Sequence, residues 1–155
     1  MDILQTQNVL NIYVGFDEVE KVAYHTLSQS IIKHASSPVR ISPICSKHFH
    51  KFFNRPKDQK QSNDFSFTRF LVPYLNNFDG YAIFMDCDMM LRDDIFDVLK
   101  EVNLDNAVSV VKHDYTPSDK VKFLNKVQYT YPRKNWSSFV VWNCSHKKNR
   151  KLTPT

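Results

Sequence analysis

The sequence predicts an α/β protein built on a mostly parallel central sheet with flanking helices. Short apolar runs of strand length recur along the chain, and a segment with helical periodicity separates the first two. A strand–helix–strand order favours parallel pairing, because the crossover connection returns the chain to the same edge of the sheet. The length of 155 residues suits one domain, so we predict a single domain over residues 1–155.

The N-terminal part predicts two strands joined by a helix. Val9–Gly15 is an apolar run that ends in glycine, which is typical of a buried strand. Val39–Cys45, after Pro38, is the second strand candidate. Val19–Ala35 predicts a helix, because apolar side chains recur on one face. That face consists of Val19, Ala23, Leu27 and Ile31, widened by Ile32.

The remaining elements are predicted in the same way. Asp64–Tyr74 has helical spacing of its apolar residues, and Pro73 is expected to end or kink that helix. Tyr81–Met85 is uniformly apolar, which indicates a central strand. The other predicted elements are a loop at 46–63, a short helix at Ile95–Lys100, strands at Ala107–Val111 and Ser138–Trp142, and a weak helix at Ser118–Lys126.

Composition excludes several kinds of site. With only two glycines, the chain has neither a G-x-G-x-x-G loop nor a P-loop, so phosphate must be held in another way. The three cysteines are far apart, which argues against a disulfide framework and favours a reducing compartment. We see no signal peptide and no apolar run of about 18 residues. A cytoplasmic protein without a transmembrane segment is therefore expected, with peripheral attachment to a membrane left open.

Charge is unevenly distributed along a chain whose net charge is +5. Residues 47–60 carry five Lys or Arg against one Asp, and residues 146–151 are also basic. Residues 84–97 instead carry five Asp against one Arg. An acidic cluster in a basic protein indicates a cation site within a surface that attracts anions.

Asp86 and Asp88 lie at the centre of that acidic cluster, directly after the predicted strand Tyr81–Met85. Side chains two positions apart lie on the same face of a strand. The carboxyl end of a parallel sheet opens on the ligand crevice. Two carboxylates there can bind Mg²⁺ or Mn²⁺ and leave coordination positions for phosphate and water.

Four segments together resemble glycosyltransferase family 8, the glycogenin-like and lipopolysaccharide-galactosyltransferase-like enzymes. Tyr81–Leu99 (YAIFMDCDMMLRDDIFDVL) resembles the family's Asp-x-Asp block, and Phe65–Leu75 (FSFTRFLVPYL) its Arg-containing helix. Ile12–Asp17 (IYVGFD) is similar to the first strand and nucleotide loop, and Asn135–Asn143 (NWSSFVVWN) to the later strand that closes the donor pocket. The four segments occur in the family's order and span most of the chain.

The resemblance implies a GT-A (Rossmann-like) nucleotide-diphospho-sugar transferase fold and a hexosyltransferase that retains anomeric configuration. It implies a nucleotide-diphosphate-sugar donor, with a UDP-sugar as the leading candidate, and Mn²⁺ or Mg²⁺. The acceptor, a saccharide, a lipid-linked glycan or a protein, stays open. Carried over by position, Tyr13, Gly15 and Asp17 would border the nucleoside, and Cys87 would lie beside the ribose. Arg69 would bind the diphosphate or the donor sugar, and Asp86 and Asp88 would bind the metal. Ser137 and Ser138 would lie near the transferred sugar.

The chain departs from the family pattern at its C-terminal end. A further metal ligand, typically a histidine, is expected well after the segment that matches Phe139–Trp142. Only His146 follows, and it falls in the wrong place for that motif. The sequence therefore predicts a donor-binding core without the C-terminal acceptor and third-ligand region. No carboxylate stands out as a nucleophile, so we name no catalytic residue.

Two other functions are compatible with the residues. In a haloacid-dehalogenase-like phosphatase, Asp86 would be the nucleophile and Asp88 the acid, although Met90 stands where that family expects Thr or Val. A non-catalytic module could instead bind a nucleotide-sugar or another anion. The basic, aromatic stretch His48–Lys60 could contact nucleic acid or an anionic membrane, or be a solvated loop. No nucleic-acid-binding motif accompanies it, so a nucleic-acid partner is not expected.

Overall fold

The computed structural model describes residues 7–56, 61, 63–112 and 136–154. The strands are β1 (Leu10–Gly15), β2 (Val39–Ile44), β3 (Tyr81–Met85), β4 (Val108–Val110) and β5 (Phe139–Asn143). The α-helices are α1 (Lys21–His34), α2 (Val72–Leu75) and α3 (Ile95–Glu101). Short 3₁₀ segments lie at Glu18–Glu20, Ser46–Phe49, Thr68–Leu71 and Lys147–Lys151.

The five strands form one sheet in the order β2-β1-β3-β5-β4. Strand β1 pairs in parallel with both β2 and β3. Strand β5 is antiparallel to both β3 and β4, so β4 runs in the same direction as β1, β2 and β3. The predicted α/β class and mostly parallel sheet are therefore confirmed, with β5 as the reversed strand.

The core is built around the central strands. Four of the five residues of β3 are buried, as its uniformly apolar sequence predicted. Along β1, Leu10, Ile12 and Val14 are fully buried, and Asn11 and Tyr13 between them are half-buried. Burial of one such aliphatic side chain stabilises the fold by roughly 1.5–3 kcal/mol. The acidic residues therefore lie at the ends of strands that are packed into the core.

The buried face of α1 differs from the prediction. Leu27 and Ile31 are buried as expected, but Val19 and Ile32 are 65% and 61% exposed, and Ser30 is buried instead. Glu18–Glu20 is a 3₁₀ turn, so Val19 precedes the α-helix and is out of phase with its apolar stripe. The Ser30 hydroxyl accepts a hydrogen bond from Leu91 N (3.0 Å), which explains why a polar residue occupies this face.

The segment before β3 also differs from the prediction. Residues 64–67 form turns, and Thr68–Leu71 is a 3₁₀ segment that leads into the short helix α2. Pro73 lies in the first turn of α2, where its missing N–H costs nothing, so it neither ends nor kinks a helix. The buried residues here include Phe65, Thr68 and Arg69, whereas Tyr74 is 36% exposed.

The predicted helix near Ile95 is confirmed as α3. The Asp94 carboxylate accepts hydrogen bonds from Phe96 N (3.1 Å) and Ser36 N (3.3 Å), which caps the helix and ties it to the end of α1. The predicted weak helix at Ser118–Lys126 lies outside the described residues. Among the residues that are described, no helix has both the length and the apolarity to cross a membrane.

Candidate functional site

The acidic pair lies where three strands meet. Strand β3 ends at Met85, beside Val14 of β1 on one side and Phe139, the first residue of β5, on the other. Because β5 is antiparallel, the residues just before it stand next to the residues just after β3. Asp86 N donates a hydrogen bond of 2.8 Å to the carbonyl oxygen of Ser138, which extends this pairing past the strand ends.

A buried ion pair joins Arg69 to Asp86. The Arg69 Nη1 atom lies 3.1 Å from Asp86 Oδ1, and the two side chains are 6% and 19% exposed. Arg69 also donates from Nη1 to the carbonyl oxygen of Ser137 (2.6 Å) and from Nε to that of Phe65 (3.3 Å). One guanidinium therefore ties together the ends of β3 and β5 and the segment before α2.

Aromatic rings surround the Arg69 guanidinium. Its central carbon lies 5.5 Å from the ring centre of Phe65 and 5.0 Å from that of Phe84, within cation–π range. Burial lowers the pKa of Arg69, but an arginine starts so high that it keeps its charge. A permanent positive charge is thus buried against Asp86.

Asp86 does not have its full complement of partners. Oδ1 is buried and has no donor with hydrogen-bond geometry, so we treat its 3.1 Å contact with Arg69 as ionic. Burial raises the pKa of Asp86 to about 6; Arg69 opposes this rise, and Asp88 and Glu20 add to it. Arg69 therefore compensates the negative charge of this carboxylate only in part.

Asp88 and Glu20 complete the acidic surroundings. Asp88 is exposed, two residues beyond Asp86. Glu20 is half-buried and accepts a hydrogen bond from the Cys87 thiol (3.5 Å). Burial, followed by the charge of Glu20, raises the pKa of Cys87 to about 12, so this thiol stays protonated. The described residues contain no group of three His, Cys, Asp or Glu side chains that could hold a metal ion.

Glu20 was missed by the sequence analysis. It lies in a 3₁₀ turn, and its role depends on α1 packing beside the segment after β3. An acidic residue near a helix start is also common for reasons of helix capping alone. No pattern in the sequence distinguishes the two cases.

Gly15 lies at the end of β1, where a side chain cannot fit. A β-carbon added there would lie 2.4 Å from Phe65 Cδ2, closer than non-bonded atoms approach. Phe65 packs against this strand end and carries the ring that faces Arg69. The structure therefore gives Gly15 a packing role next to the site.

Tyr13 and Asp17 are already engaged by other parts of the protein. The Tyr13 hydroxyl donates to Asn76 Oδ1 (3.2 Å), and burial raises its pKa to about 12. Asp17 accepts hydrogen bonds from Val19 N (3.1 Å) and Asp64 N (3.4 Å), so it caps the turn before α1. None of the contacts of Tyr13 described here joins it to the acidic pair, and its nucleoside role stays a prediction.

Ser137 and Ser138 reach the site through their backbone. Their carbonyl oxygens accept from Arg69 Nη1 and Asp86 N, as described above. The predicted pair is thus brought next to Asp86, although by main-chain atoms rather than by hydroxyl groups. Contact of either hydroxyl with a donor sugar stays a prediction.

A cavity of about 360 Å³ is lined in part by Ser46, Lys47, Asp64 and Thr68. Thr68 is 2% exposed, and its hydroxyl is buried with no hydrogen-bond partner in the structure. Asp64 donates its backbone N–H to Asp17, and Thr68 directly precedes Arg69, so two residues of the cavity wall are connected to residues considered for the site.

Comparison with known proteins gives one similar curated sequence, and no family model matches the chain. The chain is 43% identical over 145 residues to Protein CDI of Arabidopsis thaliana. The match covers 92% of this chain and 56% of that protein. The chain therefore spans about half the length of this relative.

Solved glycosyltransferases share the fold at low sequence identity. The apo structure of the bifunctional glycosyltransferase WbbM superposes with a TM-score of 0.62 at 14% identity, over 94% of this chain and 33% of that one. The glycosyltransferase GlyE of Streptococcus pneumoniae superposes with a TM-score of 0.58 at 14% identity, over 94% of this chain and 37% of that one. The mixed α/β fold of this chain is thus one that glycosyltransferases have, and the chain spans about a third of their length.

Proposed function

We propose that this chain forms the donor-binding part of a glycosyltransferase. In this proposal it binds a nucleotide-diphosphate-sugar, with a UDP-sugar as the leading candidate, together with Mn²⁺ or Mg²⁺ at Asp86 and Asp88. The observation that carries the proposal is the buried Arg69–Asp86 ion pair at the end of β3, with Asp88 exposed two residues further on. The fold shared with WbbM and GlyE supports it.

The charge balance supports a divalent cation. Asp88 and Glu20 lie close enough to raise the pKa of Asp86, and Arg69 is a cation buried against Asp86. A diphosphate would be repelled by this surplus of carboxylates unless further positive charge were present. Two carboxylate oxygens fit Mg²⁺ or Mn²⁺, which keep positions for water and substrate phosphates. When bound, the ion would neutralise the charge of the leaving diphosphate.

The proposed role of Arg69 differs from the one implied by resemblance. Its Nη1 and Nε atoms are already engaged by Asp86, Ser137 and Phe65. We therefore assign it to positioning the Asp86 carboxylate, and its contact with a diphosphate stays a prediction. Because the ring contacts and hydrogen bonds hold the guanidinium on several sides, Asp86 is oriented before any ligand arrives.

The cavity lined by Thr68 is the place we propose for the nucleoside. Polar side chains such as Ser46 and Gln61 line it, and Asp64 in its wall donates its backbone N–H to Asp17, for which the resemblance implies a nucleoside role. Gly15 and Cys87 would act as close-packed neighbours of the donor. Transfer of a hexosyl group with retention, and the identity of the acceptor, remain expectations from the family resemblance.

Ligand-linked stability tests the proposal. UDP or a UDP-sugar should raise the melting temperature only when Mn²⁺ or Mg²⁺ is present, by an amount equivalent to about 2.7 kcal/mol at a hundredfold excess over Kd. Asp88→Asn should abolish the shift without changing the fold, because Asp88 is exposed. Asp105→Asn removes another exposed carboxylate as a matched control and should leave the shift intact.

Two outcomes would contradict the proposal. Binding of UDP-sugar that needs no metal and survives Asp88→Asn would remove the assigned role of the acidic pair. A phosphorylated Asp86, detected by mass spectrometry after incubation with a phosphate ester, would instead support a phosphatase of the haloacid-dehalogenase type.

A further inference from the structure

The two basic segments of the chain meet on one surface along a row of aromatic rings. Phe49 and Phe52 have ring centres 5.5 Å apart, Phe52 and Tyr74 5.9 Å, and Tyr74 and Phe78 6.0 Å. The guanidinium of Arg150 lies over Phe78, 5.9 Å from the ring centre. The row thus runs from the basic segment 46–56, across α2, to the basic segment 143–154.

Parts of this row are open to solvent. Phe52 and Tyr74 are 38% and 36% exposed, although large aromatic side chains usually lie inside a protein. They pack against each other and against half-buried rings, so their exposure belongs to one continuous patch. Contiguous exposed apolar surface with a polar border marks an interaction site more often than scattered single residues do.

The border of the patch is strongly cationic. No Asp or Glu occurs in segments 46–56 and 143–154, or in residues 72–78, which carry the rings of Tyr74 and Phe78. Lys47 is paired with Glu18, and the Asp79 carboxylate lies 3.5 Å from Ser145 Oγ. The other exposed cations of the two segments are Lys51, Arg55, Lys147, Lys148, Arg150 and Lys151.

We propose that this aromatic–basic surface, formed by segments 46–56, 72–78 and 143–154, docks on membranes that carry anionic phospholipids. Exposed Phe and Tyr rings suit the level of the headgroups, where an amphipathic ring is stable. Clustered Lys and Arg side chains are attracted to the negative surface potential of such a membrane. Single weak contacts of both kinds add up to reversible peripheral binding.

The packing of the rings favours a membrane over nucleic acid. Single-stranded nucleic acids bind by stacking their bases on open aromatic faces. Here the rings pack against one another at 63° for Phe49–Phe52, 44° for Phe52–Tyr74 and 77° for Tyr74–Phe78, so neighbouring rings cover part of the faces within the row. The nearby Phe67 ring is covered by the Arg55 guanidinium at 3.8 Å. Rings that are only partly exposed, such as Phe52 and Tyr74, can still enter a headgroup layer.

Docking would also set the position of the cavity beside Thr68. Lys47, His50 and Arg55 of segment 46–56 line that cavity, so the same segment contributes to both features. A protein bound through this surface would hold the cavity close to the headgroups. The docking surface itself does not depend on what the cavity binds.

Vesicle sedimentation tests the proposal. The protein should pellet with vesicles of mixed phosphatidylserine and phosphatidylcholine, far less with pure phosphatidylcholine, and the binding should weaken as salt is added. Lys148→Glu/Arg150→Glu/Lys151→Glu should reduce the affinity by about 100-fold. Lys33→Glu/Arg92→Glu/Lys112→Glu changes the net charge equally at exposed positions outside the surface and should reduce it much less.

A second variant separates the aromatic contribution from charge. Phe52→Ser should weaken binding to the mixed vesicles with the same dependence on salt, because it removes an exposed ring and no charge. Melting curves of all variants check folding, and salt titration of the unaltered protein gives an answer even if a variant unfolds. Three results would overturn the proposal. They are an equal loss of vesicle affinity in the control triple variant, equal binding of the protein to neutral vesicles, and tighter binding to a single-stranded oligonucleotide than to vesicles.

Discussion

A β-carbon on Gly15 would lie 2.4 Å from the ring of Phe65, so these two residues fit together only because position 15 has no side chain. The contact joins the end of β1 to the segment that carries Arg69. Since the Phe65 ring also faces the Arg69 guanidinium, a displacement of the ring would be transmitted to Asp86. The position of the acidic pair thus depends on the close packing of two residues that have no charge.

Gly15→Ala should destabilise the protein by about 1–3 kcal/mol, the usual cost of overpacking a core. The free energy of unfolding in urea measures this cost. In a Phe65→Leu background the same change should cost clearly less, because the ring that the new methyl group meets has gone. Additive effects of the two substitutions would contradict the contact.

Arg69→Met should destabilise the protein by about 3–5 kcal/mol, because it leaves the Asp86 charge buried and unpaired. Replacing both members of the pair, in Arg69→Met/Asp86→Leu, should recover a large part of this loss. Urea denaturation of the two variants provides the comparison. A double variant no more stable than Arg69→Met would show that the hydrogen bonds of Arg69 to Phe65 and Ser137 matter more than the ion pair.

The affinity for Mn²⁺ should depend on pH through Asp86, whose pKa is raised to about 6. A proton and a metal ion compete for the same carboxylate, so affinity should fall by up to about tenfold for each pH unit below this value and level off above about pH 7. Calorimetric titration over this range measures it. An affinity that is constant between about pH 5 and 7 would exclude Asp86 as a ligand.

The same pKa shift predicts how the metal-free protein responds to acid. The folded state holds the Asp86 proton more tightly than the unfolded chain, whose aspartates titrate near their ordinary value. The contribution of this group to stability should therefore increase as the pH falls from about 6 towards 4. Comparing the melting temperature of the protein with that of Asp86→Asn over this range isolates the contribution. An identical pH dependence in the variant would rule it out.

The three cysteines should be unreactive in the folded protein. Cys45, Cys87 and Cys144 are all buried, and burial raises the pKa of Cys87 and of Cys144 to about 12. Thiolates are the reactive form, so a disulfide reagent such as Ellman's should react slowly until denaturant is added and then with all three. Rapid reaction of one thiol under native conditions would show that the segment containing it opens.

Much of the sheet could be predicted from the sequence, because apolar runs of strand length have few alternatives in a chain of this composition. Tyr81–Met85 was predicted with the bounds that β3 has, and the other strands differ at their ends by a residue or two. The reversed direction of β5 carries no signal in its own residues.

The helical segments were less predictable, because periodicity alone does not give the phase of a helix. Val19 matched the apolar stripe of α1 but lies in the 3₁₀ turn before it. Ser30 is buried since its hydroxyl binds Leu91 N, a contact between segments 61 positions apart that no local pattern encodes. Pro73 was read as a helix end, although a proline is equally compatible with a first turn.

The candidate site was predictable where side chains define it and not where the backbone does. Two carboxylates after an apolar strand are a visible pattern, and Asp86 and Asp88 were found from it. The resemblance placed Ser137 and Ser138 near the transferred sugar, and in the structure their carbonyl oxygens contact Arg69 and Asp86. Every residue type has a carbonyl oxygen, so such a contact leaves no trace in the sequence.

The hydrogen bond from Arg69 to Ser137 joins residues 68 positions apart, and this has a consequence for the order of events during synthesis. A ribosome releases Arg69 and Asp86 well before Ser137 and the strand that follows it. In that interval the carboxyl end of β3 lacks the neighbour that β5 later provides. The acidic pair therefore reaches its final geometry late, when nearly the whole of this chain has emerged.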